Sequence, residues 1–323
     1  MLQYLIRRLL WAGVLFLAVT VVTYVIFFLV PANPARAAAG KTATPEAVRE
    51  AEKFLGLDEP VYVQYGRFLK RLVVEGSLGH SFTNRQSVNG EIFRAAPITA
   101  SLVFGGIILV LALAIPLGIL SALRPRSLLD RASMTYVLIG ISLPSFWIGL
   151  VLSYLIGYRL QLTPIAGYCQ VVSVPEAAIC GGFTDWAYHM ILPWLTLAIV
   201  VAGTYVRFVR AEVMETMTQD YVRTARAKGA PERRVMVKHI LRNAMLPVVT
   251  MIGMDIGLLL GGSIFIETVF GLPGLGRTAY ESIQNFDLPT LQGVVIFGAL
   301  AIIVFTLLVD LLYAWIDPRI RLT

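Results

Sequence analysis

Two features of this sequence could carry or transmit chemistry: a carboxylate, Asp255, inside an apolar run, and a basic interval, Asp220–Pro247, between two such runs. In that interval Arg223, Arg226, Lys228, Arg233, Arg234, Lys238 and Arg242 stand against Asp220 and Glu232. A carboxylate in mid-span costs about 3 kcal/mol on insertion scales, so it faces water, a solute or a partner. A basic interval beside a span can fix topology, lie solvated, or receive another protein. Other chemistry is sparse. No G-x-x-x-x-G-K-[ST] phosphate loop occurs, so ATP hydrolysis by this chain is not expected. His80, His189 and His239 fall in separate segments, and no paired acids or nucleophile–base set lies within a span, so neither a metal cluster nor a catalytic site is expected.

The elements that position these residues follow from composition. Of 323 residues 57% are hydrophobic and only 15% charged, against about 25% charged in a soluble chain. Several runs exceed the roughly 20 apolar residues that cross a bilayer core. The chain reads as an all-α, polytopic protein of the lipid bilayer. Its net charge of +7 is read through placement beside spans rather than as a nucleic-acid footprint.

Six spans are expected: Leu9–Val30, Ile98–Leu120, Ala132–Ile156, Tyr188–Val209, Ala244–Ile266 and Leu291–Trp315, with Pro116, Pro144 and Pro193 as interruptions or kinks. The first run is longer than the 7–15 residues of a signal-peptide core, so it reads as a retained span despite the small residues Ala37–Ala39. Residues 1–30 thus form an N-terminal stretch and span, 31–97 an external segment, and 98–323 the core with five further helices. In the external segment Thr44-Pro45 should start a helix ended by Gly56, and Pro60 another ended by Gly76. Val61, Tyr65, Phe68, Leu69 and Leu72 would give the latter an apolar stripe, packed on the spans or lying in the interface. Short-loop Lys and Arg residues, nine of them from Arg207 to Arg242, place that loop and both termini inside. The loop holding Cys169 and Cys180 is then outside, where a disulfide would persist; free thiols are the other reading.

Within the basic interval Asp220 is suited to cap a first helix, Gly229 to take the left-handed position after it, and Pro231 to open a second. Tyr221 and Ala225 share a face of the first, and Met236, Ile240 and Ala244 a face of the second. On the fifth span Gly253, Gly257 and Gly261 lie four apart, which permits close helix approach. The candidate solute path is Asp255, Gly257, Ser142 and Phe146. For Asp255 a structural hydrogen bond between helices stands as an equal reading, and Asp310 reads as structural. The run Gly271–Gly276 has the wrong spacing for a dinucleotide loop and reads as a tight external turn.

Taken together, LGLDEPVYVQY, GSLGHSF, LPSFWIGLVL, DYVRTARAKG, KHILRNAMLPVVT, ETVFGLPGLGR and LLYAWIDPRIRL resemble the permease subunit of the bacterial dipeptide/oligopeptide ATP-binding-cassette importers over nearly the whole chain. The resemblance implies a type I importer permease fold in the bacterial inner membrane, with both termini cytoplasmic. It implies that residues 210–243 form a coupling loop docking on an ATPase, through Tyr221, Arg223, Thr224, Ala225, Lys228, Gly229 and Pro231. Aligned on Gly229, Arg223-Thr224-Ala225 replaces the Glu-Ala-Ala of the general motif. It also implies a heterodimer with a sister permease, two cytoplasmic ATPase subunits that hold ATP and Mg, an external solute-binding protein, and a peptide solute. No cofactor on this chain and no nucleic acid are expected. Nickel chelates or glutathione are alternative solutes within the family. A stand-alone channel or ion-driven carrier is the alternative from another class, but no internal repeat of the carrier kind is visible.

Overall fold

The computed structural model describes residues 2–29, 34–39, 43–55, 59–171 and 180–316. Among these the regular secondary structure is helical, with two isolated β-bridges, His80–Ser87 and Gln170–Gly181. Five helices are long and apolar enough to cross a membrane: Ile6–Leu29, Val88–Leu123, Phe183–Met217, Glu232–Leu260 and Leu288–Leu311. A sixth span is obtained if the bent pair Leu128–Ser142 and Ser145–Arg159 counts as one. The bend is 105°. Its cause is Pro144: Leu143 before it is held extended (φ −95°, ψ 131°) and the proline has no N–H to continue the ladder. What reads in sequence as an interrupted third span is therefore sharply broken.

The chain divides into two compact units, residues 1–100, 257–267 and 273–323 in one, 101–256 and 268–272 in the other. In the first unit α1 (Leu2–Tyr24, continued by a π turn, Val25–Leu29) packs on α14 (Leu288–Ile316). Arg8 pairs with Asp310 at 2.7 Å across that contact. Short helices α2 (Pro34–Ala39) and α3 (Pro45–Leu55) follow; the Thr44 hydroxyl caps α3 by accepting from Ala47 N at 3.3 Å. Gly56, the expected stop, lies outside the described residues. Helix α4 (Val61–Val73) ends three residues before Gly76. Its stripe folds inward through Phe68, buried with Tyr24 and Ile296, flanked by Tyr65 and Leu72, whereas Val61 is exposed. Helix α5 begins at Val88, ten residues before the expected span, and runs unbroken through Pro97 and Pro116 to Leu123. On α11 (Arg242–Leu260) a Cβ added at Gly257 would lie 2.7 Å from Ile302 Cα, while one at Gly298 of α14 would lie 2.8 Å from Gly261 Cα. The glycine spacing thus serves close helix approach.

The second unit is built on α8 (Phe183–Met217), which runs through Pro193. Its Tyr205, Val206, Val209 and Val213 are fully buried, packed with Val110, Ala114 and Val248. Helix α6 (Leu128–Ser142) lies against α8 because Gly140 and Gly203 have no side chains to separate them: a Cβ on Gly203 would be 3.3 Å from Val137 Cα. Helix α7 (Ser145–Leu152, continued by a π turn, Ser153–Arg159) also packs on α8. Beyond α8 come α9 (Asp220–Ala227), α10 (Glu232–Arg234), a π turn (Val235–Leu241) and α11. Helices α12 (Ile264–Phe270) and α13 (Leu275–Asn285) precede α14.

Candidate functional site

The basic interval folds as two helical arms around Gly229, with three corrections to its sequence reading. Gln219, not Asp220, is the N-cap of α9 (φ −69°, ψ 147°); Asp220 is the first helical residue, so its exposed carboxylate acts through the helix dipole and lies 3.6 Å from Arg223. Pro231 is the N-cap of the second arm (φ −60°, ψ 141°) rather than its first residue. The second arm is not a short separate helix: Glu232–Leu260 is one continuous helix, with a π turn inside it.

The break between the arms is a Schellman motif. Gly229 N donates to Arg226 O at 2.9 Å and Ala230 N to Ala225 O at 3.2 Å. Gly229 takes φ +75°, which glycine adopts without the Cβ penalty of other residues. Ala225 and Ala230 both pack against the buried core, as the motif's apolar contact requires. Arg226 then forks onto Glu232, Nη2–Oε1 2.7 Å and Nε–Oε2 3.2 Å, fixing one arm to the other. Val222 is the residue of α9 that enters the core, with Val235, Ile240 and Ala244 from the second arm. Tyr221 instead is 42% exposed, its hydroxyl accepting from Asn243 Nδ2 at 3.0 Å. Arg223, Thr224, Lys228 and Gly229 are left on the outer face.

Sequence reasoning missed the anchor of this region. Asp130, in the first turn of α6, accepts from Arg210 Nε at 2.8 Å and Nη2 at 3.1 Å, from Arg126 N at 2.8 Å, and from the Ser121 hydroxyl. One carboxylate thereby ties the end of α5 and the start of α6 to α8 where the basic region begins. The available signal was Ser127-Leu-Leu-Asp130, a capping pattern in which the Ser127 hydroxyl accepts from Asp130 N at 3.2 Å. Removing one member of such a pair strands the other. Asp130→Ala is therefore expected to lower the melting temperature in detergent more than Ser121→Ala does. Arg210→Ala added to Asp130→Ala should cost less than it costs alone. Additive effects in scanning fluorimetry would rule out the pairing as an anchor.

Asp255 is half-buried, and its Oδ2 accepts from the hydroxyl of the fully buried Tyr205 at 2.7 Å. Gly257 is buried in the helix packing described above. Ser142 and Phe146 lie exposed on the two sides of the bend at Pro144. Cys169 and Cys180 are joined by a disulfide. His189 reaches it, Nδ1 to Cys169 Sγ 3.2 Å, so the three donor groups lie within 4.8 Å, with both sulfurs committed to each other.

A second buried carboxylate organises the ETVFGLPGLGR stretch. Glu267 accepts from the Thr99 hydroxyl (2.8 Å), Arg277 N (3.0 Å) and Ser263 N (3.3 Å), and Leu275 N in turn donates to Thr99 Oγ1 (2.8 Å). Burial pushes this carboxyl up from its ordinary range, opposed by those same donors. Gly271 turns the chain at φ +64°, and Gly274 is held against the carboxylate.

Residues 1–103 match the N-terminal membrane-component model of binding-protein-dependent transport systems, and residues 114–322 match their inner-membrane-component model. The chain is 38% identical to the dipeptide transport system permease protein DppB of Escherichia coli K12, covering 99% of each chain. Against DppB of Alkalihalophilus pseudofirmus it is 36% identical over 99% of its own length and all of the relative's. It is also 38% identical to the glutathione transport system permease protein GsiC of Salmonella paratyphi A, again over 99% of each. With several membrane-crossing helices, an all-α fold and family models matching both halves of its length, the chain belongs to the inner-membrane components of binding-protein-dependent transport systems.

Proposed function

We propose that this chain is the permease subunit of an ATP-driven peptide importer. It works with a sister permease, two cytoplasmic ATPase subunits holding ATP and Mg, and an external solute-binding protein, with both of its own termini on the ATPase side. The observation that carries the reading is the basic two-arm loop. Its outer face is exposed, its inner face is locked into the core by Val222 and Val235, and its second arm continues directly into a span. A displacement imposed on α9 by a partner would be passed to the second arm, and so to α11, through the shared Val222–Val235 core and the Arg226–Glu232 fork across the Gly229 break. The sequence itself offers no phosphate loop, so the energy source is placed in the partners. Alternating access follows: ATP binding draws the loops together and opens the path toward the binding protein, and hydrolysis resets it.

Peptides are assigned as the solute on the likeness to the two dipeptide permeases, and glutathione is kept as the second reading on the likeness to GsiC. Uptake of labelled dipeptide and labelled glutathione is to be compared in cells stripped of their own importers for both and supplied with this chain and its co-encoded subunits. Energy-dependent accumulation of the dipeptide is expected. Uptake of neither solute, with the complex present in the membrane, would overturn the reading.

Asp255 is proposed as a contact for the solute's ammonium group. Tyr205 holds one of its oxygens and orients the other, for which the described residues supply no hydrogen-bond donor. A charge-assisted hydrogen bond contributes about 1.5–3 kcal/mol. Asp255→Asn is therefore expected to reduce import of a free-amino peptide about tenfold more than that of its N-acetylated analogue. Equal losses for the two would leave Asp255 a purely structural partner of Tyr205.

A further inference from the structure

A cavity of about 1250 Å³ lies within the first unit, bounded by the last turns of the first span, helices α3 and α4, and the start of α14. Tyr24, Phe28 and Phe68 give it an apolar floor. Its rim is basic: Lys53, Lys70, Arg71 and Arg85 line it, opposed by Glu50 and Glu75. Arg67, also on the rim, is taken by Glu59 at 2.6 Å, whereas none of the other four forms an ion pair among the described residues. A second observation points to an acceptor ligand. Gln292, one turn into α14 and 3% exposed, lines the same cavity, and its amide Nε2 has no hydrogen-bond partner. A buried donor without an acceptor is costly, and cations around it select an acceptor that is anionic.

The surroundings identify that anion. The floor belongs to the end of a membrane-crossing helix whose Val21, Val22 and Ile26 are exposed, so an apolar chain has a surface to follow. Helix α4 carries Arg67, Lys70 and Arg71 on its polar side while Tyr62 (77% exposed) and Val74 (73% exposed) flank it at its two ends. Basic residues with exposed apolar and aromatic neighbours are the composition of a helix lying at headgroup depth. We propose that this cavity binds the phosphate headgroup of an anionic phospholipid, with its acyl chains running along α1. The lipid wedges α3 and α4 to the membrane-crossing helices and supplies the acceptor that Gln292 lacks. This holds whichever side of the membrane the cavity faces, since both leaflets present phosphate headgroups.

The full-length chain, purified in detergent with the subunits that accompany it, is to be titrated with phosphatidylglycerol or phosphatidylcholine and read by native mass spectrometry. Retention of phosphatidylglycerol over phosphatidylcholine is expected. Lys70→Gln with Arg71→Gln should weaken that retention by about tenfold or more, since each basic residue near a charged lipid contributes roughly one decade or somewhat less. Gln292→Leu should weaken it independently, and serves as the readout if the double variant does not elute as the wild type does. The charge-matched pair Arg124→Gln with Arg131→Gln, remote in sequence from the cavity, should leave it unchanged. Equal retention of both lipids, unaltered phosphatidylglycerol binding in the Lys70, Arg71 and Gln292 variants, or full displacement by millimolar inorganic phosphate would each overturn the proposal.

Discussion

Glu267→Ala is expected to destabilise the protein by about 3–5 kcal/mol, because three donors converge on a carboxylate that has no access to solvent. The Thr99 hydroxyl, Arg277 N and Ser263 N would all lose their acceptor, and Thr99 would be freed to abandon Leu275 N, which it now holds at 2.8 Å. The loss reaches further than one side chain. Glu267 lies on α12, Thr99 on α5 and Arg277 on α13, so one buried group fixes three elements and the turn between two of them. Glu267→Gln preserves the shape but turns an amide NH₂ toward backbone donors, so it should also destabilise, by less. Gly274→Ala tests the same contact from the other side: its Cβ would sit 2.5 Å from Glu267 Oε2 and 2.6 Å from Thr99 Oγ1. Denaturant or thermal unfolding of the purified protein in detergent reads all three. A Glu267→Ala protein that melts with the wild type would show that Glu267 does not organise the stretch.

This network shows why part of the molecule was legible in the sequence and part was not. Features set by neighbours along the chain could be read directly. Pro144 removes an N–H and restricts Leu143, and the chain breaks there. Gly229 follows a helical run and adopts positive φ. Thr44 precedes Pro45 and caps α3. Where two local solutions were nearly equivalent the reading slipped by one residue, as at Gln219 and Pro231, since an acid at the cap and an acid in the first turn both favour the helix start. Partners far apart in sequence were not legible. Asp130 and Arg210 are 80 residues apart, Tyr205 and Asp255 are 50 apart, and Thr99 and Glu267 are 168 apart. Periodicity places each of these residues on a helix but carries no information about which helix faces it. The continuity of the second arm with α11 was hidden for another reason. A π turn over Val235–Leu241 widens the spacing by one residue. The four-residue pattern correctly finds Ile240 and Ala244 in the core with Met236 packed against it, but it leaves out the fully buried Val235, which reaches the same core five residues before Ile240.

Gly229→Glu is expected to reduce ATP-driven uptake by about tenfold or more while the protein remains folded and in the membrane. The structure separates this substitution from its neighbour Ala225→Glu. Ala225 packs on the core and its carbonyl holds Ala230 N, so a glutamate there would damage the chain's own fold and report little about a partner. At Gly229 a Cβ would meet nothing within 4 Å, and the cost inside the chain is confined to the left-handed backbone, about 1–2 kcal/mol for a residue with a side chain. Against a stability of about 5–15 kcal/mol that leaves the folded population essentially intact. Any large loss of transport must then come from what the added carboxylate meets outside this chain. Gly229→Asn supplies the control, because asparagine tolerates positive φ and adds no charge; it should keep most of the uptake. Melting temperature, membrane abundance and uptake measured together on the two variants separate a folding defect from a docking defect. If Gly229→Glu imports at the wild-type rate, the outer face of α9 is not the docking surface proposed for the ATPase partner, and the basic interval serves topology alone.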